Sequence, residues 1–195
     1  MLDSALEVFL DRGYEQATVD MIAAAAGMTK RTVYARYEDK TALFKAVVQR
    51  AIDQYKLPLE AMKSADRGDL AETLTSIARM RLAHVLSPTG LRLQRILNAE
   101  SYRYPDIFNS AFEQGTKPLI DFLAEVLARH AAAGHAEISD PQRAATVFMS
   151  MVVGGPARIF ISGNTISDDE LDARTRFSVD LFLRGVLPRS SCAGR

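Results

Sequence analysis

The 195-residue chain is 48% hydrophobic and 25% charged, enough apolar material for one large domain or two small ones with a proper core. Its 24 Lys and Arg balance its 24 Asp and Glu, which excludes a bulk attraction to nucleic acid or an anionic membrane and leaves only a local patch to do that work. A single cysteine, Cys192, excludes an intramolecular disulfide and a thiolate metal cage and fits a reducing, cytoplasmic setting, while no run of 18 apolar residues and no signal-peptide pattern occurs in the acid-bearing start "MLDSALEVFLDRGYEQ".

The periodic segments all have the helical period. Leu2, Ala5, Leu6, Phe9 and Leu10 form one apolar stripe, predicting a first helix that ends at Gly13. Thr18 is placed to cap a second, short helix, "VDMIAAAA", which Gly27 stops by taking a left-handed conformation. Thr29 suits the cap of a third helix running through Val33 to about Arg36. Asp39 suits the cap of a fourth, whose stripe is Leu43, Phe44, Val47, Val48, Ala51 and Tyr55. Beyond these, turn signals at 63–69, 87–90, 102–106, 133–141 and 162–169 separate further helical stretches, with Asp140–Pro141 and Ser167…Glu170 reading as helix starts. The prediction is an all-α chain of nine or ten helices: a helix-turn-helix module at 1–48, a helical-bundle domain at 49–187 and a disordered tail at 188–195.

A short helix, a glycine turn and a second short helix is the arrangement of a helix-turn-helix, whose second helix enters the major groove. Ile22 and Val33 are the apolar residues to pack the pair, and Ala23, Ala24 and Ala26 permit close approach. Lys30, Arg31, Thr32 and Arg36 fall on or near the exposed face, and Lys40 opens the next helix where its charge opposes the dipole unless an anion is bound. From Gly27 to Arg50 there are six basic residues (Lys30, Arg31, Arg36, Lys40, Lys45, Arg50) against two acidic ones (Glu38, Asp39), a local stripe in a neutral chain. A solvated helical surface with chance cations is the plainer reading of the same pattern.

The stretch "ALEVFLDRGYEQATVDMIAAAAGMTKRTVYARYEDKTALFKAVV" resembles the N-terminal domain of TetR-family transcriptional regulators in nearly all of its first 48 residues and in its spacings. The segment "LRLQRILNAESYRYPDIFNSAF" is similar, more weakly, to ligand domains of the AcrR/AefR-type subgroup. The resemblance implies that Thr18 caps the second helix and offers its hydroxyl or amide to a phosphate, that Thr29 and Thr32 open the recognition helix, and that Tyr34 and Lys40 reach backbone phosphates. Tyr37, where the family usually has phenylalanine, reads as core. Arg31 stands where glycine is frequent, and its guanidinium could read guanine O6 and N7. Met21 replaces a common acid, removing half of a capping box. Many relatives carry a basic arm before the first helix; this sequence starts at that helix, which withdraws arm contacts from the expectation.

In the second domain the resemblance implies an effector pocket, and apolar lining is available from Leu74, Ile77, Ala78, Leu93, Ile96, Leu97, Phe108, Phe112, Phe122 and Phe148, each of which also reads as ordinary core. Arg81 and Glu100 continue two of these stripes and would pair with each other or meet a ligand's polar end. No catalytic constellation or phosphate loop is present, His84, His130 and His135 lack metal spacing, and neither cofactor nor metal is expected. Stripes at 141–162 and 168–187 suit two long helices, which in the resembled family meet their copies in a four-helix interface. The expected function is therefore a homodimeric, DNA-binding regulator, a repressor released from its operator by a small apolar or amphipathic molecule. The alternatives are an all-helical enzyme or a protein-interaction module without DNA binding.

Overall fold

A computed structural model describes residues 1–187, apart from the side chain of Leu59; the predicted tail at 188–195, with Cys192, lies outside the described residues. In chain order the helices are α1 (Leu2–Gln16), α2 (Val19–Ala25), α3 (Lys30–Tyr34), α4 (Lys40–Gln54), α5 (Leu59–Ser64), α6 (Leu70–Val85), α7 (Pro88–Glu100) and α8 (Pro105–Ala111). A π-helical turn, Phe112–Thr116, leads into α9 (Lys117–Ala132), followed by α10 (Pro141–Ile161) and α11 (Asp168–Val186). The all-α prediction holds, with no strand among the described residues. The count exceeds nine or ten because the short α5 and α8 stand as helices of their own beside the turns marked in the sequence.

The predicted helix starts are present because each has its capping side chain. Thr18, Thr29, Asp39, Asp140 and Ser167 each accept a backbone N–H from the first turn of the helix they precede. Asp69 does the same for α6. The first helix departs from expectation: Gly13 breaks it with φ 70° and ψ 170°, and one further turn follows to Gln16. That break, open to glycine at little steric cost, precedes Tyr14, which is buried.

Contacts divide the chain into two compact units. The first holds Met1–Lys56 together with Pro88–Thr116, and the second holds Leu57–Ser87 with the chain from Lys117 onward. Helices α7 and α8 thus group with the N-terminal helices, across the sequence boundary drawn at residue 48. The physical reason is apolar: Leu93, Ile96 and Leu97 of α7 join Ala5, Phe9, Ile22, Val33, Phe44 and Val48 in one buried cluster, with Tyr37, Tyr104 and Ile107 packed against it. Three ion pairs reinforce this grouping, Arg92–Glu7, Arg103–Glu15 and Lys45–Asp106.

The second unit has its own core, built from Leu74, Ile77 and Ala78 of α6, Leu119, Leu123 and Leu127 of α9, Phe148 and Val152 of α10, and Val179 and Phe182 of α11. Helix α10 runs unbroken through Gly154, Gly155 and Pro156. With a mean hydropathy of 1.6 it is long and apolar enough to cross a bilayer, yet only 28% of its most apolar window is buried.

Candidate nucleic-acid interface and effector cavity

The helix-turn-helix is built from local hydrogen bonds. Thr18 Oγ1 accepts the Met21 N–H at 3.2 Å and starts α2. The turn closes with Gly27 at φ 62°, its N–H donating to the Ala24 carbonyl and the Met28 N–H to the Ala23 carbonyl, at 3.1 and 2.9 Å. This pairing satisfies the last carbonyls of α2 and needs the left-handed glycine between them. Thr29 Oγ1 then accepts the Thr32 N–H at 3.2 Å and shares a 2.9 Å hydrogen bond with the Thr32 hydroxyl. Ile22 and Val33, 0% and 1% exposed, anchor the two helices from beneath.

With α3 so anchored, Lys30, Arg31 and Tyr34 are exposed on it and Thr32 is half-buried. Helix α3 ends at Tyr34, so Arg36 stands just past it, exposed in the following turn rather than in the helix body. The predicted DNA-binding residues Thr18, Thr29, Lys30, Arg31, Thr32, Tyr34 and Arg36 are therefore gathered around one short helix and its entry.

The six cations assigned to the stripe do not share one fate. Lys45 pairs with Asp106 at 2.6 Å and Arg50 with Asp3 at 3.1 Å, which neutralises both within the unit. Lys30 pairs with Asp20 at 2.8 Å; this hydrogen bond and then the attraction between the charges hold the lysine pKa above its ordinary value. Lys40, read as a phosphate ligand, instead donates to the carbonyls of Tyr14, Glu15 and Ala17 at 2.8, 3.2 and 3.1 Å, which occupies all three of its N–H donors. It closes the end of α1, and its ammonium lies 4.4 Å from the centre of the Tyr14 ring. Arg31 and Arg36 make no ion pair among the described residues.

The residues expected to line an effector pocket fall into both units. In the second, Leu74, Ile77, Ala78 and Phe148 are all 0% exposed, Arg81 is buried and Phe122 is half-buried against the same core. The apolar residues among them serve as packed core. In the first, Leu93 is buried core, while Ile96, Leu97, Glu100 and Phe108 border a void together with Phe44, Val48, Ser101, Tyr104 and Ile107. The void measures about 10 Å³, room for roughly one water. Phe108 and Phe112 expose 45% and 41% of their surface. Glu100 is the only charged wall of the void and makes no ion pair among the described residues.

Sequence reasoning missed Asp20, Tyr14 and Tyr104. Burial first, then hydrogen bonding to Tyr14, pushes the Tyr104 phenol above its ordinary value. The available signal was Tyr104 directly before Pro105, an aromatic at a helix start inside a stretch marked as a turn.

A buried-anchor helix pair presenting a capped, cationic α3, within an all-helical chain, defines a helix-turn-helix DNA-binding transcriptional regulator. The comparisons agree: residues 1–47 match bacterial regulatory proteins of the tetR family, and residues 72–185 match the C-terminal domain of AefR-like transcriptional repressors. The chain belongs to the TetR family. It is similar to the HTH-type transcriptional regulator SrpR of Pseudomonas putida, 28% identical over 79% of this chain and 70% of that protein. Among solved structures, a TetR-family transcriptional regulator from Mesorhizobium loti has a TM-score of 0.79 with 25% identity, covering 96% of this chain and 95% of its own. The flavonoid-responsive regulator FrrA has a TM-score of 0.72 with 28% identity, covering 97% and 96%.

Proposed function

We propose that this regulator is a cytoplasmic homodimeric repressor, whose two α3 helices read successive major grooves of an operator and whose DNA affinity falls when an amphipathic molecule binds. The observation that carries the DNA reading is the pair of guanidiniums without an ion pair, Arg31 on the exposed, capped α3 and Arg36 in the turn just past it. Arg31 lies near the start of the recognition helix, where side chains meet base edges, and its fork suits guanine O6 and N7. Thr18, Thr29, Thr32 and Tyr34 would position the module on phosphates.

Dimerisation is supported by apolar side chains that the single chain leaves in water. Phe177 and Leu181 of α11 are 67% and 51% exposed, and Val147 of α10 is 48% exposed. A groove between these helices is lined by Met151, Gly155, Ala173 and Phe177. A second copy would cover this face in an isologous, two-fold contact. Repression and release are favoured by the match to AefR-like repressors and by the responsiveness of FrrA to a small molecule.

The effector site we favour is the void beside Glu100, enlarged by displacement of α8. Its apolar walls with one carboxylate suit an amphiphile carrying a cation. Fluorescence anisotropy with the DNA upstream of the chain's own gene tests the core of this reading. Arg31→Ala should relax preference at one symmetric pair of base positions and cost about 1–3 kcal/mol per contact. Identical selected sites for parent and variant would remove Arg31 from base reading.

A further inference from the structure

We infer that Asp20 is a positioning residue for operator recognition: its carboxylate, 2.8 Å from Lys30 Nζ, holds that ammonium at the start of α3 as a fixed base-edge donor instead of a mobile phosphate-seeking charge. The inference rests on the DNA-reading role of α3 proposed above. Asp20 lies in the first turn of α2 and Lys30 is the first residue of α3, so the pair bridges the two helices of the motif. Both side chains are exposed, 66% and 50%, and an ion pair this exposed does little for stability. Its consequence is in where the charge points.

A free lysine is a compact charge on a flexible four-carbon stem and follows the nearest phosphate. Tied to Asp20, Lys30 keeps two N–H donors whose direction is set by the protein, at the end of a recognition helix that meets base edges. The carboxylate also cancels one positive charge on the reading face, lowering attraction to DNA of any sequence. Arg31 and Arg36 remain the free cations there.

Asp20→Asn breaks the tie without changing side-chain size. In the full-length dimer it adds one unopposed charge per half-site, so the log-log salt slope should steepen by about 0.9 per half-site. Between 50 and 200 mM salt, affinity for random-sequence duplex should then fall about twelvefold more in the variant than in the parent. Sites selected by Asp20→Asn should lose preference at one symmetric pair of positions, the same pair lost in Lys30→Met, while thermal unfolding stays unchanged. Asp20→Glu should restore the parent slope and sites. The double variant Asp20→Asn with Lys30→Met should return to the parent slope. A parent that binds no DNA would overturn the role of α3 itself; a parent that binds, with salt slope and selected sites unaltered in Asp20→Asn, would overturn the role of Asp20 alone.

Discussion

Tyr104, the residue that precedes α8, meets Tyr14 of α1 edge to face, ring centroids 5.4 Å apart and planes at 72°. Tyr14 in turn meets Phe44 of α4 at 5.0 Å, and Tyr104 lies 5.3 Å from Phe44, so three rings tie three helices together. The Arg103 guanidinium lies 4.9 Å from the centre of the Tyr14 ring, and the Lys45 ammonium 5.7 Å from that of Tyr104. Aromatic contact of this geometry adds to the area it buries. Tyr104→Ala should therefore destabilise the first unit by roughly 2 kcal/mol, read as a lower urea midpoint, while Tyr104→Phe should retain most of that. Equal midpoints for parent and Tyr104→Ala would show that α8 is not held by these rings.

Lys40 separates two roles that its position left open. If it closes α1, Lys40→Met should lower the unfolding temperature, since three carbonyl oxygens lose their donor, and should leave the salt slope of DNA binding unchanged. A slope shallower by about one per half-site, at unchanged stability, would return Lys40 to a phosphate.

What was legible in the sequence was what is local. Thr18, Gly27, Thr29 and Asp39 act through bonds spanning three to five residues, so the motif could be read from spacing alone. The partners Asp3–Arg50, Glu7–Arg92, Glu15–Arg103 and Lys45–Asp106 are separated by 47 to 88 positions in the chain, and no local pattern encodes them. For the same reason the basic stripe was overcounted. Lining residues such as Leu74 and Phe148 were found as stripes, but a stripe does not say whether it faces a ligand or another helix; their 0% exposure does.

The acid limb of stability should carry a contribution from Asp66. It accepts hydrogen bonds from Arg129, the Gly68 N–H and the buried Thr73 hydroxyl. The Arg129 bond first of all holds its carboxyl below the ordinary value of 3.8, against a smaller opposing effect of burial. A carboxylate whose folded pKa is depressed stabilises the native state fully above its unfolded pKa. That gain is lost as pH falls from about 4 through the native value. Asp66→Asn should thus be less stable than the parent at pH 7 and converge on it in denaturant titrations taken towards pH 2. A constant difference across that range would exclude Asp66 as the titrating group.

Phe177 tests the proposed self-association face. Placing a carboxylate there, Phe177→Asp, should leave the second unit folded, because the parent side chain is 67% exposed, but should oppose burial against a second copy. Light scattering should give monomer, with helical circular dichroism unchanged and operator affinity greatly reduced. A full dimer in this variant would move the interface off α11.

The void beside Glu100 is too small for any effector as it stands, since small-molecule sites occupy about 300–1,000 Å³. An effector at this proposed site would have to displace α8 from α4, at the expense of the Tyr104–Phe44 contact and the Lys45–Asp106 pair. Five residues separate the end of α3 from the start of α4, so a shift of α4 bears directly on recognition. A ligand that favours the displaced form weakens DNA binding only by its differential affinity for the two forms, and operator must weaken the ligand by the same factor. Dodecyltrimethylammonium below its micellar concentration should accordingly release a labelled operator at lower concentration than dodecanoate does. Glu100→Gln should abolish that preference, and Ser101→Leu, which fills the void from its wall, should keep operator binding while losing release. Calorimetry with and without operator supplies the linkage: equal ligand affinities in the two titrations would mean that occupation of this site is not the signal.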